Sequence, residues 1–323
     1  MIDHELIHLP RQAIDKSDEL YRISYGEPIN RLENSIKKAG LLNPPLVQKK
    51  QNGRYRIVTG FRRVQVVAQL SQENLPVFVT ELNIEQLKLF ETAILDNISI
   101  RTLNPVEISI VLNKLIQDFG AVTETVINKY LPMLGLGKNP DVVKRYFPLQ
   151  GFEEPIKQAV AHEEISVEVA GHLAQLNKRD RLSFWALFSF LHPGKNNQRK
   201  LLKLCGDIAR LKNMSIESLL QEKHIRAIVE DEKVSPPHRL EKLMSTLLHE
   251  RYPEFSKTQM RYEALQKKLQ LPPNVTISTP AHFEGEDYAL QIAFKQTDEL
   301  SSLSKDLKNI AQNEHLREMI NLT

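Results

Sequence analysis

The sequence contains a single cysteine, Cys205, among its 323 residues, so it cannot form an internal disulfide. No cysteine and histidine cluster has the spacing of a zinc site. No run approaches the roughly 18 consecutive apolar residues of a transmembrane helix, which excludes one. The first twelve residues include acids and lack an apolar stretch, so we expect no secretory signal. These absences predict a cytoplasmic protein with no membrane partner.

An excess of one charge is also missing, because 43 Lys and Arg residues face 40 Asp and Glu residues. Nucleic acid, if bound, must therefore be bound by a local patch rather than by bulk charge. Glycine is scarce, at 12 residues, and long stretches repeat apolar residues with a helical period. Most of the chain is predicted to be helical.

The N-terminal part mixes helical and strand patterns. Asn52-Gly53 between two apolar runs is typical of a β-hairpin. Gly60 follows the second of these runs and precedes a helical pattern, so a strand is predicted to enter a glycine turn and then a helix N-terminus. The predicted elements are helices at 29–39, ending at Gly40, and 62–70, and strands at 45–49, 55–59 and 76–81.

Only helical patterns follow from 84 to about 232, and Ser235-Pro236-Pro237 is the most linker-like point of the second half. The last part combines a helix, two strands and a final helix, predicted at 239–269, 275–279, 288–294 and 298–310. The fold class is therefore predicted to be α+β and mostly helical. Three domains are predicted: a small α/β domain at 1–85, an all-helical domain at 86–235 and a small α/β domain at 236–323.

Thr59-Gly60-Phe61-Arg62-Arg63 lies at the predicted strand-to-helix turn. Free backbone N–H groups and the helix dipole favour an anion there, and arginine forks suit phosphate oxygens. The alternative is a surface turn with two solvated arginines.

Asp96 and Asn97 are a carboxylate beside a carboxamide, a plausible pair of oxygen ligands for Mg²⁺. The alternative is an ordinary helix C-terminus.

Residues 122–147 have the pattern of a helix-turn-helix, with Lys138 and Asn139 at the start of the second helix and Lys144 and Arg145 within it. The alternative is a helical hairpin with a solvated basic face. A further basic run extends from Lys195 to Lys212. It is interpreted either as a contact for a phosphate backbone or as a solvated helix face.

Five motifs in this order resemble the ParB family of bacterial DNA-partition proteins. The matching stretches are 40–47 (GLLNPPLV), 55–63 (YRIVTGFRR), 96–107 (DNISIRTLNPVE), 115–120 (LIQDFG) and 164–173 (EISVEVAGHL). The resemblance implies a ParB/sulfiredoxin-like N-terminal domain that binds CTP with Mg²⁺, a central helix-turn-helix domain and a C-terminal dimerisation domain. It also implies a homodimer that closes as a clamp on double-stranded DNA at a palindromic site, in chromosome or plasmid segregation at the nucleoid. A partition ATPase is among the expected partners.

The resemblance also assigns residues. Those expected to bind nucleotide are Asn43, Thr59, Gly60, Arg62 and Arg63. Asp96 and Asn97 are expected to hold Mg²⁺. Lys138, Asn139, Lys144 and Arg145 are expected to face DNA.

Several positions depart from the family pattern. Phe61 stands where the family has glutamate, so any CTP hydrolysis is expected to be weak. The motif arginine falls on Ile100, with Arg101 one place later, Asn43 replaces glutamine, and extra residues occupy 134–139.

Two other functions remain open. One is a ParB-like transcriptional regulator without a segregation role, and the other is a nucleotide hydrolase or phosphotransferase, as in free-serine kinases built on this fold. Sulfiredoxin activity is not expected, because Phe61 occupies the place of its nucleophilic cysteine.

Overall fold

A computed structural model describes residues 3–26, 29–70, 73–280, 287–296 and 307–322. The chain divides into two compact units, Met1–Ala186 and Leu187–Thr323, called unit 1 and unit 2 below. The structure is mostly helical and contains two small sheets. The division into three domains stays a prediction.

Unit 1 contains a five-stranded mixed sheet in the order β1-β5-β3-β4-β2. Strands β1 and β5 are antiparallel, β5 and β3 are parallel, and the β3–β4 hairpin is antiparallel, as the Asn52-Gly53 turn predicts. The strands are β1 (His4–Pro10), β2 (Ile14–Asp15), β3 (Leu46–Lys49), β4 (Tyr55–Ile57) and β5 (Asn74–Thr80).

Two of these strands, β1 and β2, were not among the sequence-based predictions. Strand β1 pairs with β5, which lies about 70 residues later, so no local turn signals their pairing. Strand β2 has two residues and pairs in parallel with β4, and two residues are too short for an alternating pattern to be visible.

Helix α4 (Pro105–Asn113) begins at a capping motif that can be read in the sequence. Asn104 caps α4 through a reciprocal capping box with Glu107, and Pro105 occupies the first helical position. The helices of unit 1 are α1 (Asn30–Ala39), α2 (Phe61–Gln69), α3 (Gln86–Ile100), α4 (Pro105–Asn113), α5 (Thr123–Thr125), α6 (Leu131–Met133), α7 (Pro140–Tyr146), α8 (Glu154–Ala161) and α9 (Val167–Leu173), while α10 (Lys178–Leu191) contains the boundary between the units. Segments Lys114–Asp118 and Val126–Tyr130 are π-helical, and Arg11–Ala13 and Phe147–Gly151 are 3₁₀-helical.

Two apolar cores stabilise unit 1. One lies between the sheet and helices α1 and α2, and includes Ile36, Val47 and Val67. The other joins α3, α4 and the helices after them. Phe61 packs against both cores. The turn that begins α2 is therefore held from two sides.

Unit 2 is built on the long helix α11. Its helices are α11 (Lys195–Leu211), α12 (Ile216–Leu220), α13 (Lys223–Val229), α14 (Pro236–Arg251), α15 (Pro253–Leu269) and α16 (Glu314–Ile320), and residues 307–312 are also helical. Helix α14 packs on α11 and α13.

The C-terminal strands β6 (Val275–Ser278) and β7 (Ala289–Ile292) form the predicted antiparallel pair. A small core joins this pair to α15 and α16, and the Tyr262 hydroxyl donates to the Ile277 carbonyl at 2.7 Å. The connection 281–286, and residues 298–306 of the predicted last helix, lie outside the described residues.

No helix among the described residues is long and apolar enough to span a membrane.

Candidate functional site

A cavity of about 800 Å³ opens in unit 1 where β4 ends and α2 begins. Its wall includes the residues just before β3, the glycine turn at the start of α2 and the C-terminal half of α3. Seven residues predicted from the sequence line this one cavity: Asn43, Thr59, Gly60, Arg62, Arg63, Asp96 and Asn97. Three segments that are far apart in sequence therefore meet there, as the predicted roles require.

Gly60 makes the turn possible. It caps α2 with φ +83°, a left-handed conformation that side-chain-bearing residues rarely adopt. A Cβ at this position would lie 2.8 Å from Pro45 Cβ and 2.9 Å from Arg63 Nε. The backbone at the helix N-terminus is thus closely packed while it remains part of the cavity wall.

Arg63 links two other segments of the cavity wall, the one before β3 and the end of α3. Its Nη1 donates to the Asn43 carbonyl at 2.8 Å, and its Nη2 donates to Asp96 Oδ2 at 3.0 Å. The predicted phosphate ligand and the predicted metal ligand are therefore paired with each other.

Arg101 is a cavity residue that the sequence-based assignment did not include. It donates to Asn97 Oδ1 at 3.0 Å and makes two bonds to the Glu107 carboxylate, which is fully buried. Glu107 also accepts from the backbone N–H groups of Tyr25 and Asn104. Every oxygen of this carboxylate is satisfied, so Arg101 and Asn97 are held in fixed positions at the C-terminal end of α3.

An ionic network anchors the segment that leads to Ile23 and Ser24, two further lining residues. Lys50 bridges Asp15 at 2.8 Å and Asp18 at 2.9 Å, and Arg56 donates to Asp18 at 2.5 Å. Burial raises the pKa of Asp18, but the hydrogen bonds from Lys50 and Arg56 outweigh it, so that pKa lies below its ordinary value.

The same network lowers the pKa of Asp15, chiefly through the hydrogen bonds from Lys50 and Ser17. The hydrogen bond to Asp15 is in turn the main cause of the raised pKa of Lys50. All three groups are therefore charged at neutral pH.

Sequence reasoning missed the aromatic part of the wall. His4 of β1 and Phe78 of β5 line the cavity with ring centroids 4.7 Å apart in an edge-to-face arrangement. Leu42 and Ile100 line it with side chains that are largely exposed. His4 could be placed only by the long-range pairing of β1 with β5, which no local pattern signals.

Asp96 and Asn97 remain the candidate metal ligands. Of the two side chains, the Asp96 carboxylate is the more accessible to a metal ion. Asp96 offers a carboxylate that is about one-third exposed, whereas Asn97 Oδ1 already accepts from Arg101. Among the described residues, a second group with metal-binding side chains is Glu222, His224 and Glu250 in unit 2. Lys212 Nζ lies 2.8 Å from Glu250 and 3.2 Å from Glu222, so an ammonium group already compensates those carboxylates.

The segment predicted to be a helix-turn-helix forms two helical stretches joined by a turn. The stretch 123–133, which contains α5 and α6, is followed by a turn at 134–139 with Gly135 at φ +74°, and then by α7. Val143 of α7 is buried in the second core of unit 1. The two helices are therefore fixed to each other through a shared core.

The four residues predicted to face DNA are exposed. Asn139 caps α7 by accepting from the Asp141 N–H at 2.9 Å, and Lys144 makes a surface ion pair with Asp141 at 3.1 Å. Lys138 lies just before the cap and Arg145 within the helix. They share the exposed side of this element, which is compatible with their predicted role and does not test it.

Comparison with known proteins supports the N-terminal part most directly. Residues 3–98 match the family model described as the ParB N-terminal domain. The chain is 29% identical over 150 residues to a nucleoid occlusion protein of Halalkalibacterium halodurans, covering 46% of this chain and 50% of that one. It is 27% identical over 150 residues to a probable chromosome-partitioning protein ParB of Chlamydia muridarum, covering 45% and 51%.

Thus the matches span about half the length of these curated relatives. A solved structure of C-terminally truncated ParB from Caulobacter crescentus, complexed with CTP-gamma-S, is 21% identical and covers 54% of this chain and 94% of that chain, with a TM-score of 0.27. A TM-score this low does not establish a shared arrangement. The chain carries a ParB N-terminal domain, which confirms its resemblance to the ParB family.

Proposed function

We propose that the chain is a sequence-specific DNA-binding protein of the partition type, regulated by CTP and acting as a homodimeric clamp in chromosome or plasmid segregation. The observation that carries this proposal is the convergence of 43–46, 59–63 and 96–101 on one cavity beside a glycine-capped helix N-terminus. The names of the relatives, chromosome-partitioning ParB among them, point in the same direction.

The cavity suits a nucleotide in size and chemistry. Ligand pockets are typically about 300–1,000 Å³ and combine apolar walls with a few converging polar groups. Here Arg62 and Arg63 supply forked donors beside the N-terminus of α2, where the helix dipole favours phosphate. His4 and Phe78 supply aromatic surface suited to a base.

Binding a triphosphate would exchange partners within the site. Arg63 would release Asp96 and turn to phosphate oxygens, which are stronger partners for a guanidinium because they carry more charge. Asp96 and Asn97 would then hold Mg²⁺, which would neutralise part of the phosphate charge. Arg101 would keep Asn97 oriented through its bonds to the buried Glu107.

The second part of the proposed function is recognition of a DNA sequence. Lys138, Asn139, Lys144 and Arg145 would meet bases and phosphates at the start of α7, the position that a recognition helix uses. A homodimer would present two such elements to a palindromic site. The protein would then act at the nucleoid in the cytoplasm, with a partition ATPase as a partner.

A nucleoid occlusion role is a second candidate, because two relatives carry that name. The two roles predict different defects when the gene is removed. Loss of a partition protein would leave daughter cells without the DNA, whereas loss of a nucleoid occlusion protein would allow division across it. A regulator of transcription would cause neither defect.

Selection from fragmented genomic DNA tests the proposal. The full chain is incubated with the fragments with and without CTP and Mg²⁺, and the retained DNA is sequenced. We expect one palindromic sequence to be enriched, and we expect Lys138→Ala with Lys144→Ala to remove the enrichment.

The matched control is Lys37→Ala with Lys38→Ala on α1, which removes the same charge from an exposed part of unit 1. Enrichment of no sequence, or an equal loss in the control, would contradict the proposal.

A further inference from the structure

Helix α11 of unit 2 presents a basic outer face. Its inner side buries Leu201, Cys205 and Ile208 in the core of the unit. At 100° per residue, Lys195, Arg199 and Lys203 lie on neighbouring positions of the opposite side, and Lys200 lies beside them. All four side chains are exposed, and residues 195–206 include no acid. We call Lys195, Arg199, Lys200 and Lys203 the α11 basic face.

The charges of the three lysines on this face are not neutralised by the rest of the helix. Asp207, the acid of α11, lies 3.6 Å from Arg251 and 3.9 Å from Arg210, so its charge is already compensated. Lys212 is likewise held by two glutamates at the other end. By contrast, Lys195, Lys200 and Lys203 make no ion pair or hydrogen bond with any residue in the described part of the chain. The surplus charge is thus concentrated in the first half of the helix.

The spacing of these cations suits a regular row of anions. Positions four residues apart are separated by about 6 Å along a helix, so Lys195 to Lys203 spans about 12 Å. Each DNA strand carries one phosphate per about 3.4 Å of its axis, so this length faces three to four phosphates. Lysine is a point charge on a flexible stem, which suits such contacts without fixing base identity.

The α11 basic face has no exposed apolar residue at its centre. Protein interfaces have apolar or aromatic residues at their centre. The exposed residues of α11 from 195 to 203 are polar or charged, and Leu211, at the far end, is its exposed large apolar side chain. Charge without an apolar centre favours a polyanion.

We propose that the α11 basic face binds the phosphate backbone of double-stranded DNA independently of base sequence. This is a second contact, on unit 2, in addition to the reading element at α7 on unit 1; it rests on the proposed function only in taking DNA as the polyanion. Removal of the charges on this face should weaken binding to every duplex alike, because phosphate contacts carry no sequence information.

The test uses the full chain and a short labelled duplex of random sequence, with affinity measured by fluorescence anisotropy at several salt concentrations. The variant combines K195Q, K200Q and K203Q. The control combines K223Q, K233Q and K242Q, which removes the same charge from exposed positions of the same unit that lie before the segment 253–323. All six positions are exposed, so both proteins should fold, which thermal unfolding checks.

For the α11 variant we expect the negative slope of log affinity against log salt to become shallower by about 2.7, or about 0.9 for each phosphate that the protein no longer neutralises. The control should keep the slope of the unmodified chain. Equal slopes in the two variants would overturn the inference and leave the proposed function standing. Failure of the unmodified chain to bind any duplex would overturn both.

Discussion

Arg63 and Asp96 are bound to each other across the candidate cavity, with Arg63 Nη2 3.0 Å from Asp96 Oδ2. Arg63 lies in the first turn of α2 and Asp96 lies near the end of α3, so this pair links the glycine turn to the helix that carries the candidate metal ligands. The charges of these two cavity residues therefore partly neutralise each other. A nucleotide that enters the cavity must compete with an existing ion pair, which makes affinity sensitive to both residues.

Gly60→Ala should destabilise unit 1 and weaken nucleotide binding. The added Cβ would lie 2.8 Å from Pro45 Cβ and 2.9 Å from Arg63 Nε, in addition to the cost of about 1–2 kcal/mol for a left-handed residue. Gly53→Ala is the matched control, because its φ is +79° and no atom lies within 4 Å of the new Cβ.

Urea unfolding and nucleotide titration of both variants check this expectation. Gly53→Ala should show only the conformational cost and should bind normally. Equal decreases of stability and affinity in the two variants would show that close packing at Gly60 is unimportant.

Phe61 should keep nucleotide hydrolysis weak, because an aromatic side chain can neither orient water nor accept a proton. Phe61→Glu should raise the rate of phosphate release in the presence of cognate DNA, whereas Phe61→Leu should not. Since Phe61 packs against both cores of unit 1, the glutamate should also cost about 1–3 kcal/mol of stability. Rapid turnover by the unmodified chain would refute this explanation.

The Asp15–Lys50–Asp18–Arg56 network should make unit 1 sensitive to acid. Both aspartates have lowered pKa values in the folded chain, so they stabilise it above their unfolded pKa of about 3.9. This stabilisation is lost as the pH falls below about 4 and the carboxylates take up protons.

Asp18→Asn should therefore lower the stability at pH 7 by about 1–3 kcal/mol and flatten its dependence on pH in the acid range. Asp3→Asn, at an exposed position before β1, is the control. The readout is thermal unfolding from pH 7 to pH 3. An identical pH profile for Asp18→Asn and the unmodified chain would argue against the network.

The C-terminal segment should hold the dimer together. Residues 253–323 contain a core of their own, and on β7 the side chain of Leu290 is exposed, as is Phe294 just after the strand. Helix α14 should be kept in the truncated chain, because Leu243 and Leu247 are buried where it packs within unit 2. Removal of 253–323 should therefore convert a dimer to a monomer in sedimentation equilibrium and weaken DNA binding. A full-length monomer at micromolar concentration without nucleotide would rule out the dimer.

Much of the candidate site could be predicted because its signals are local. Asn52-Gly53 fixes a hairpin, Gly60 supplies a turn that needs positive φ, and the arginines follow directly in sequence. The wall formed by His4 and Phe78 could not be predicted, because it depends on pairing between strands about 70 residues apart. The bonds from Arg101 to Asn97 and Glu107 were also hidden, since motif position alone does not say which way a side chain turns.

The most direct test of the central claim is calorimetric titration of the full chain with CTP, ATP, GTP and UTP, each with Mg²⁺. Arg62→Ala is the informative variant, because Arg63 also holds Asn43 and Asp96 in place. Arg31→Ala, an exposed arginine of α1 outside the cavity wall, is the control. We predict that CTP binds and that Arg62→Ala weakens it at least tenfold, since a charge-assisted bond contributes about 1.5–3 kcal/mol, while Arg31→Ala binds normally. Absence of binding by every nucleotide, or unchanged CTP affinity in Arg62→Ala, would contradict the account.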